Sequence, residues 1–134
     1  AGLGAAAAIA ADRMAEDHAH ALMLRERLLA RLTVPVTVNG SLDARWPGNL
    51  NLSFPGVAVP LLKQLPGLAI SAGSACAALT GRPSHVLSAL GLPDPVAKAS
   101  LRLGFGRFTT TGEIDAAADQ INAAVQRHLA EMAG

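Results

Sequence analysis

The sequence predicts an α/β fold in which helices pack on one face of a small mixed sheet, and three observations carry that prediction. Ala1 to Leu32 is a proline-free run of strong helix formers. Asn49 to Phe54 and Ala99 to Phe105 alternate polar and apolar residues with the period of half-buried strands. A second long amphipathic pattern closes the chain. Two long helices flanking short strands bury their stripes most simply by covering one sheet face. With 134 residues, 51% of them hydrophobic and 16% charged, residues 1–134 read as one folded domain and not as a disordered chain.

In chain order, Leu3, Ala7, Ala10, Met14, Ala21, Leu24, Leu28 and Leu32 recur near helical spacing. No Ser, Thr, Asp or Asn caps the start of that helix, so Ala1 is expected to be a cut end with a longer parent polypeptide upstream. Thr33 to Val38 is β-branched around Pro35 and precedes the turn dipeptide Asn39-Gly40, which predicts an edge strand. Val57 to Leu65 is expected as a short helix, Leu68 to Ser71 as a short strand and Gly73 to Gly81 as a loop of small residues. Pro83 opens a helix that runs to Leu90 and stops at Gly91. In the strand Ala99 to Phe105, Leu101, Leu103 and Phe105 share one face, and Arg102 points away from the core. Thr110 and Glu113 form a candidate capping box. Ile114, Ala117, Ala118, Ile121, Ala124, Val125, Leu129 and Met132 mark the inner face of the last helix.

Composition excludes several functions. The 11 basic and 10 acidic residues leave a formal charge of +1, without the excess that nucleic-acid binding needs. One cysteine makes neither an internal disulfide nor a cysteine-built metal site. The mean hydropathy is +0.34, yet Asp12 and Arg13 interrupt the apolar opening well short of a spanning helix, and no basic flank makes it a signal peptide. No membrane partner is expected.

Few residues could carry chemistry. Cys76 lies among small neighbours, Ser71-Ala72-Gly73-Ser74-Ala75-Cys76-Ala77-Ala78-Leu79-Thr80-Gly81. Such a loop can present a reactive thiolate, and Arg82 is near enough to favour one or is simply a solvated side chain, but from spacing alone a lone cysteine is more often a small buried hydrophobe. Arg102 on a strand offers a planar fork that grips a carboxylate, or it forms an ordinary surface ion pair. Arg107 has the same two readings. His18 and His20, two apart on a helix, point to different sides and read as solvated. His85 could act as a local base. His128 joins no ligand set, and no carboxylate pair or phosphate-cradling loop stands out.

Three separated motifs, taken together, resemble the C-terminal, small domain of cysteine desulfurases, a class V aminotransferase-like family. They are Ser71-Ala72-Gly73-Ser74-Ala75-Cys76, then Pro83-Ser84-His85-Val86-Leu87-Ser88-Ala89-Leu90-Gly91-Leu92, then Ala99-Ser100-Leu101-Arg102-Leu103-Gly104-Phe105-Gly106-Arg107-Phe108-Thr109-Thr110. Asn49-Leu50-Asn51-Leu52-Ser53-Phe54 is similar to the family's strand before the cysteine loop, and the resemblance covers nearly the whole chain. It implies the small domain of a fold-type I pyridoxal-phosphate enzyme in which a loop cysteine, matched by Cys76, takes sulfur from L-cysteine as a persulfide and leaves L-alanine. Arg102 matches the arginine that binds the substrate carboxylate. The long spacing from Cys76 to Pro83 resembles the mobile-loop class that serves iron–sulfur cluster and thio-cofactor assembly.

The resemblance further implies a cytoplasmic homodimeric parent and an iron–sulfur scaffold or other sulfur acceptor as partner. The departures matter equally. Lys63 and Lys98 are the only lysines, and neither lies in the context where the family holds pyridoxal 5′-phosphate. The large domain that carries the cofactor site has no counterpart in this chain. Alone, the chain is expected to be inactive as a desulfurase. A non-enzymatic sulfur-relay or scaffold-binding module is the alternative, and an inert remnant is a third reading.

Overall fold

The computed structural model describes residues 2–72 and 83–134. Helix α1 spans Gly2–Arg31, and its buried residues, Ala21, Leu24 and Leu28, lie one turn apart on one stripe. Every residue from Gly2 to Glu16 is exposed. The apolar spacing of Leu3, Ala7, Ala10 and Met14 is therefore helical without packing against any described element. Beyond Arg31, the Asn122 side chain accepts from the Thr33 amide at 2.9 Å and donates to the Arg31 carbonyl at 3.0 Å. Two backbone groups left over at the helix end are thereby satisfied.

Strand β1 (Thr37–Val38) is the expected edge strand, cut to two residues that exclude Pro35, and pairs antiparallel with the central strand β2 (Asn49–Ser53). Strand β3 (Leu101–Gly104) flanks β2 on the other side, with Asn49 opposite Gly104, Leu50 opposite Leu103, Asn51 opposite Arg102 and Leu52 opposite Leu101. In place of the expected mixed pairing, the described strands are antiparallel throughout. The long link from β2 to β3 returns the chain at the end it left, where Leu52 meets Leu101, and parallel neighbours would need a crossover along the sheet. Of the expected strand Leu68 to Ser71, one bridge forms, between Ser71 and Arg102.

The expected helix at Val57 to Leu65 is a single 3-10 turn, Leu61–Gln64, because Pro60 and Pro66 confine it at both ends. Helix α2 (His85–Ala89) closes where Gly91 adopts φ +83°. There the Leu92 amide reaches the Leu87 carbonyl at 3.1 Å and the Gly91 amide reaches that of Ser88 at 2.9 Å, the paired bonds of a Schellman motif. Helix α3 (Asp94–Ala99) starts beside Pro93 with Asp94 in its first turn and takes Ala99 from the expected strand. Helix α4 (Thr111–Ala133) carries the predicted capping box: Thr110 Oγ1 accepts from the Glu113 amide at 3.2 Å, and the Thr110 amide donates to the Glu113 carboxylate at 2.7 Å. Its inner face is the expected one, except that Met132 is exposed.

Helices α1 and α4 run side by side in the same direction, as ordered contacts show: Arg27 grips Asp115 through two 2.7 Å bonds, and Arg31 reaches Asp119 at 3.0 Å. Their shared stripe covers Leu50, Leu52, Leu101 and Leu103, and the core they enclose includes Phe54, Leu61, Ile121 and Val125. That leaves the other sheet face to polar residues and to the short helices.

Candidate functional site

Alternation decides what the outer face carries. With Leu50, Leu52, Leu101 and Leu103 turned to the core, the side chains of Asn49, Asn51, Ser100 and Arg102 point the opposite way. A cleft of about 340 Å³ opens there between the sheet and α2; Asn51 and Arg102 line it from the strands, Ser84 and Leu87 from the α2 side, and Arg45 from the loop before β2. Among the described residues, no Asp or Glu lines this cleft. Two guanidinium groups without an acidic neighbour make it an anion-accepting surface.

The two arginines differ in what holds them. Arg45 donates to the Asn39 carbonyl at 2.6 Å and to the Ser41 carbonyl. Arg102 is exposed, and among the described residues its guanidinium has neither a hydrogen-bond partner nor an ion-pair partner. Both of its backbone groups are engaged by Ser71: the Ser71 amide donates to its carbonyl at 3.0 Å and its own amide donates to the Ser71 carbonyl at 2.5 Å. A rigid strand thus presents the fork needed for a carboxylate.

Cys76 and the loop Gly73 to Gly81 lie outside the described residues, as does Arg82. The chain on either side of them is placed: Ser71 is bridged to Arg102, and Ser84 lines the Arg102 cleft. Arg107 follows the ion-pair reading, for its guanidinium meets both carboxylate oxygens of Asp17 on α1. That contact holds the Asp17 carboxyl below the usual carboxylate range.

The histidines divide differently from the sequence expectation. His18 is exposed and meets the Trp46 ring edge-on at 5.8 Å. His20, expected to be solvated, is half-buried with Nε2 at 2.9 Å from the Thr109 carbonyl, because α1 runs beside the turn that opens α4. His128 is buried in α4, and His85 begins α2 in an exposed position. No cluster of three metal-ligating side chains occurs among the described residues.

The polar frame beneath Arg102 escaped sequence reasoning. Asn39 Nδ2 donates to Asn51 Oδ1 at 2.7 Å, Ser53 Oγ donates to Asn39 Oδ1 at 3.1 Å, and Ser100 Oγ donates to the Val96 carbonyl at 2.8 Å. Alternation had put Asn51 and Arg102 on polar faces separately. Only the strand register joins them.

Pyridoxal phosphate, implied by the family resemblance, needs a lysine beside the substrate. Lys63 is exposed on the 3-10 turn and Lys98 is exposed at the end of α3, and neither lines the Arg102 cleft. The described residues do not form a site for that cofactor.

In fold, the chain matches the NifS-like proteins. One solved NifS-like protein aligns with a TM-score of 0.71 and 24% identity, over 88% of this chain and 30% of its own. That of Rickettsia africae aligns with a TM-score of 0.75 and 23% identity, over 93% and 33%. In sequence, the chain is similar to one part of the cysteine desulfurases. It is 53% identical over 129 residues to cysteine desulfurase IscS of Vibrio atlanticus, covering 94% of this chain and 32% of the relative. With cysteine desulfurase IscS of Colwellia psychrerythraea the identity is 48% over 134 residues, covering 98% and 33%. The chain therefore spans about one third of the relatives it matches. No family model matches it. Among the described residues, no helix is long and apolar enough to cross a membrane.

Proposed function

We propose that this chain is the sulfur-accepting third of a cysteine desulfurase, with Cys76 as the persulfide carrier and Arg102 as the clamp on the substrate carboxylate. The observation that carries this reading is the Arg102 fork, held on a strand and presented in a cleft that no acidic side chain lines among the described residues. The α-carboxylate of L-cysteine pairs with that fork through two charge-assisted bonds. Ser71, which precedes the Cys76 segment in the chain, is bridged to Arg102, and Ser84, which follows it, lines the same cleft, which supports pairing Cys76 and Arg102 in one reaction.

In the net reaction the Cys76 thiol and L-cysteine give a Cys76 persulfide and L-alanine. The carbon–sulfur bond of the substrate breaks and a sulfur–sulfur bond forms at Cys76. The thiolate is the attacking species. Pyridoxal phosphate, as electron sink for the breaking bond, is assigned to the remaining two thirds of the enzyme. An iron–sulfur scaffold or another thiol protein then takes the outer sulfur by exchange, in a cytoplasmic, homodimeric parent.

The test is a chimera in which the matching third of an IscS relative is replaced by this chain. Incubated with L-cysteine and pyridoxal phosphate, the chimera is expected to release L-alanine, whereas the 134-residue chain alone releases none. Alanine release by the isolated chain, or an inactive but folded chimera, overturns the assignment. Persulfide on Cys76 of the isolated chain when only an external sulfur donor is supplied marks a relay module instead.

A further inference from the structure

Asn51 stands directly across from Arg102, and the bonding around the pair fixes how close it is. Both backbone groups of Arg102 are engaged by Ser71, and the Asn51 carbonyl accepts from the Asn39 amide at 2.8 Å on the far side. Asn51 and Arg102 are thus a non-hydrogen-bonded antiparallel pair, the type whose side chains lie closest, with Cα atoms about 4.5 Å apart. Both side chains line the same cleft.

The direction of the Asn51 amide follows from its neighbours. Ser100 Oγ gives its one proton to the Val96 carbonyl, so at 3.4 Å it can only accept from Asn39, which makes the facing atom Nδ2. Ser53 Oγ donates to the other end of that side chain, consistent with Oδ1 there. Asn39 Nδ2 also donates to Asn51, so the atom that Asn51 turns toward Asn39 is Oδ1. What remains is Asn51 Nδ2, with two protons and no partner among the described residues, on a half-buried side chain that lines the Arg102 cleft.

From this geometry we propose that Asn51 is a second carboxylate-binding residue, donating from Nδ2 to the anion that Arg102 grips, and that Asn39 is the positioning residue that holds its amide in that direction. The inference rests on the carboxylate role of Arg102. It adds a neutral donor at a fixed angle to a charged fork, which selects a planar carboxylate over a spherical anion.

The test is a titration of the isotopically labelled 134-residue chain with L-alanine, followed through the side-chain amide signals of Asn51 and the Arg102 Nε–H signal. L-alaninamide at matched chloride serves as the control without a carboxylate. The expected result is that both signals move along one binding curve with L-alanine and stay still with L-alaninamide. Asn51→Asp keeps an oxygen for Asn39 but removes the donor, and should weaken binding at least tenfold. In Asn39→Ala the Arg102 response should persist at several-fold weaker affinity and the Asn51 response should vanish. A moving Arg102 signal beside a still Asn51 signal overturns the Asn51 role and leaves the clamp intact. Silence at both overturns the clamp and the inference with it.

Discussion

Replacing Asn122 by alanine tests the joint that holds α1 against α4. Asn122 is 9% exposed and makes two backbone bonds, to the Thr33 amide and the Arg31 carbonyl, each near 3 Å. A net hydrogen bond contributes about 1 kcal/mol, and a buried partner left alone costs about 1–3 kcal/mol. Thr33 and Arg31 are exposed residues, so water can reach part of the freed pair and the lower end applies. The expected loss is about 2 kcal/mol, which moves a urea midpoint down by roughly 1 M for a chain of this size. Gln126→Ala, at an exposed position of the same helix, should change stability by less than about 0.5 kcal/mol. The comparison is read from urea unfolding followed by circular dichroism at constant slope. An Asn122→Ala loss no larger than that of Gln126→Ala refutes the capping argument.

Other perturbations follow from equally local geometry. Gly48→Ala places a Cβ 2.2 Å from the Phe105 carbonyl oxygen, a backbone atom with no room to yield; its unfolding free energy should drop by about 3 kcal/mol, the upper end for overpacking. Arg107 bonds to Asp17, Arg27 bonds to Asp115, and the Thr110 amide bonds to Glu113, which lowers all three carboxyl pKa values in the folded chain. Their stabilisation is complete above the unfolded values of about 4 and disappears as pH falls through the lower folded ones; urea midpoints should be level between about pH 5 and 7 and decline below about pH 4, with less decline in Asp115→Asn. In the chimera, Arg102→Ala should weaken substrate binding about ten- to a hundredfold, the equivalent of about 1.5–3 kcal/mol for a charge-assisted contact; an unchanged Michaelis constant and rate removes its role.

Period and capping signals were legible because they are local. The alternation of Asn49 to Phe54 and Leu101 to Phe105, the box at Thr110 and Glu113, and the stop at Gly91 each depend on residues within one turn or strand. Arg102 was placed off the core by the same reasoning, and its exposed position between buried Leu101 and Leu103 agrees with that placement. What stayed hidden depends on distant partners. Asn39, Asn51 and Ser100 meet through strand register, Asn122 finds the end of a helix 91 residues earlier in the chain, and His20 meets Thr109 only because α1 and α4 run in parallel. The lengths of the 3-10 turn and of β1 were overestimated where Pro60, Pro66 and Pro35 limit backbone bonding on both sides of a short segment.

Sulfur bookkeeping on one residue bears hardest on the account. In the chimera supplied with L-cysteine and pyridoxal phosphate, the peptide containing Cys76 should gain the mass of a single sulfur atom before any thiol is added, and lose it again on reduction. Sulfur release that proceeds undiminished in Cys76→Ser, with no such gain in the parent chimera, would contradict it.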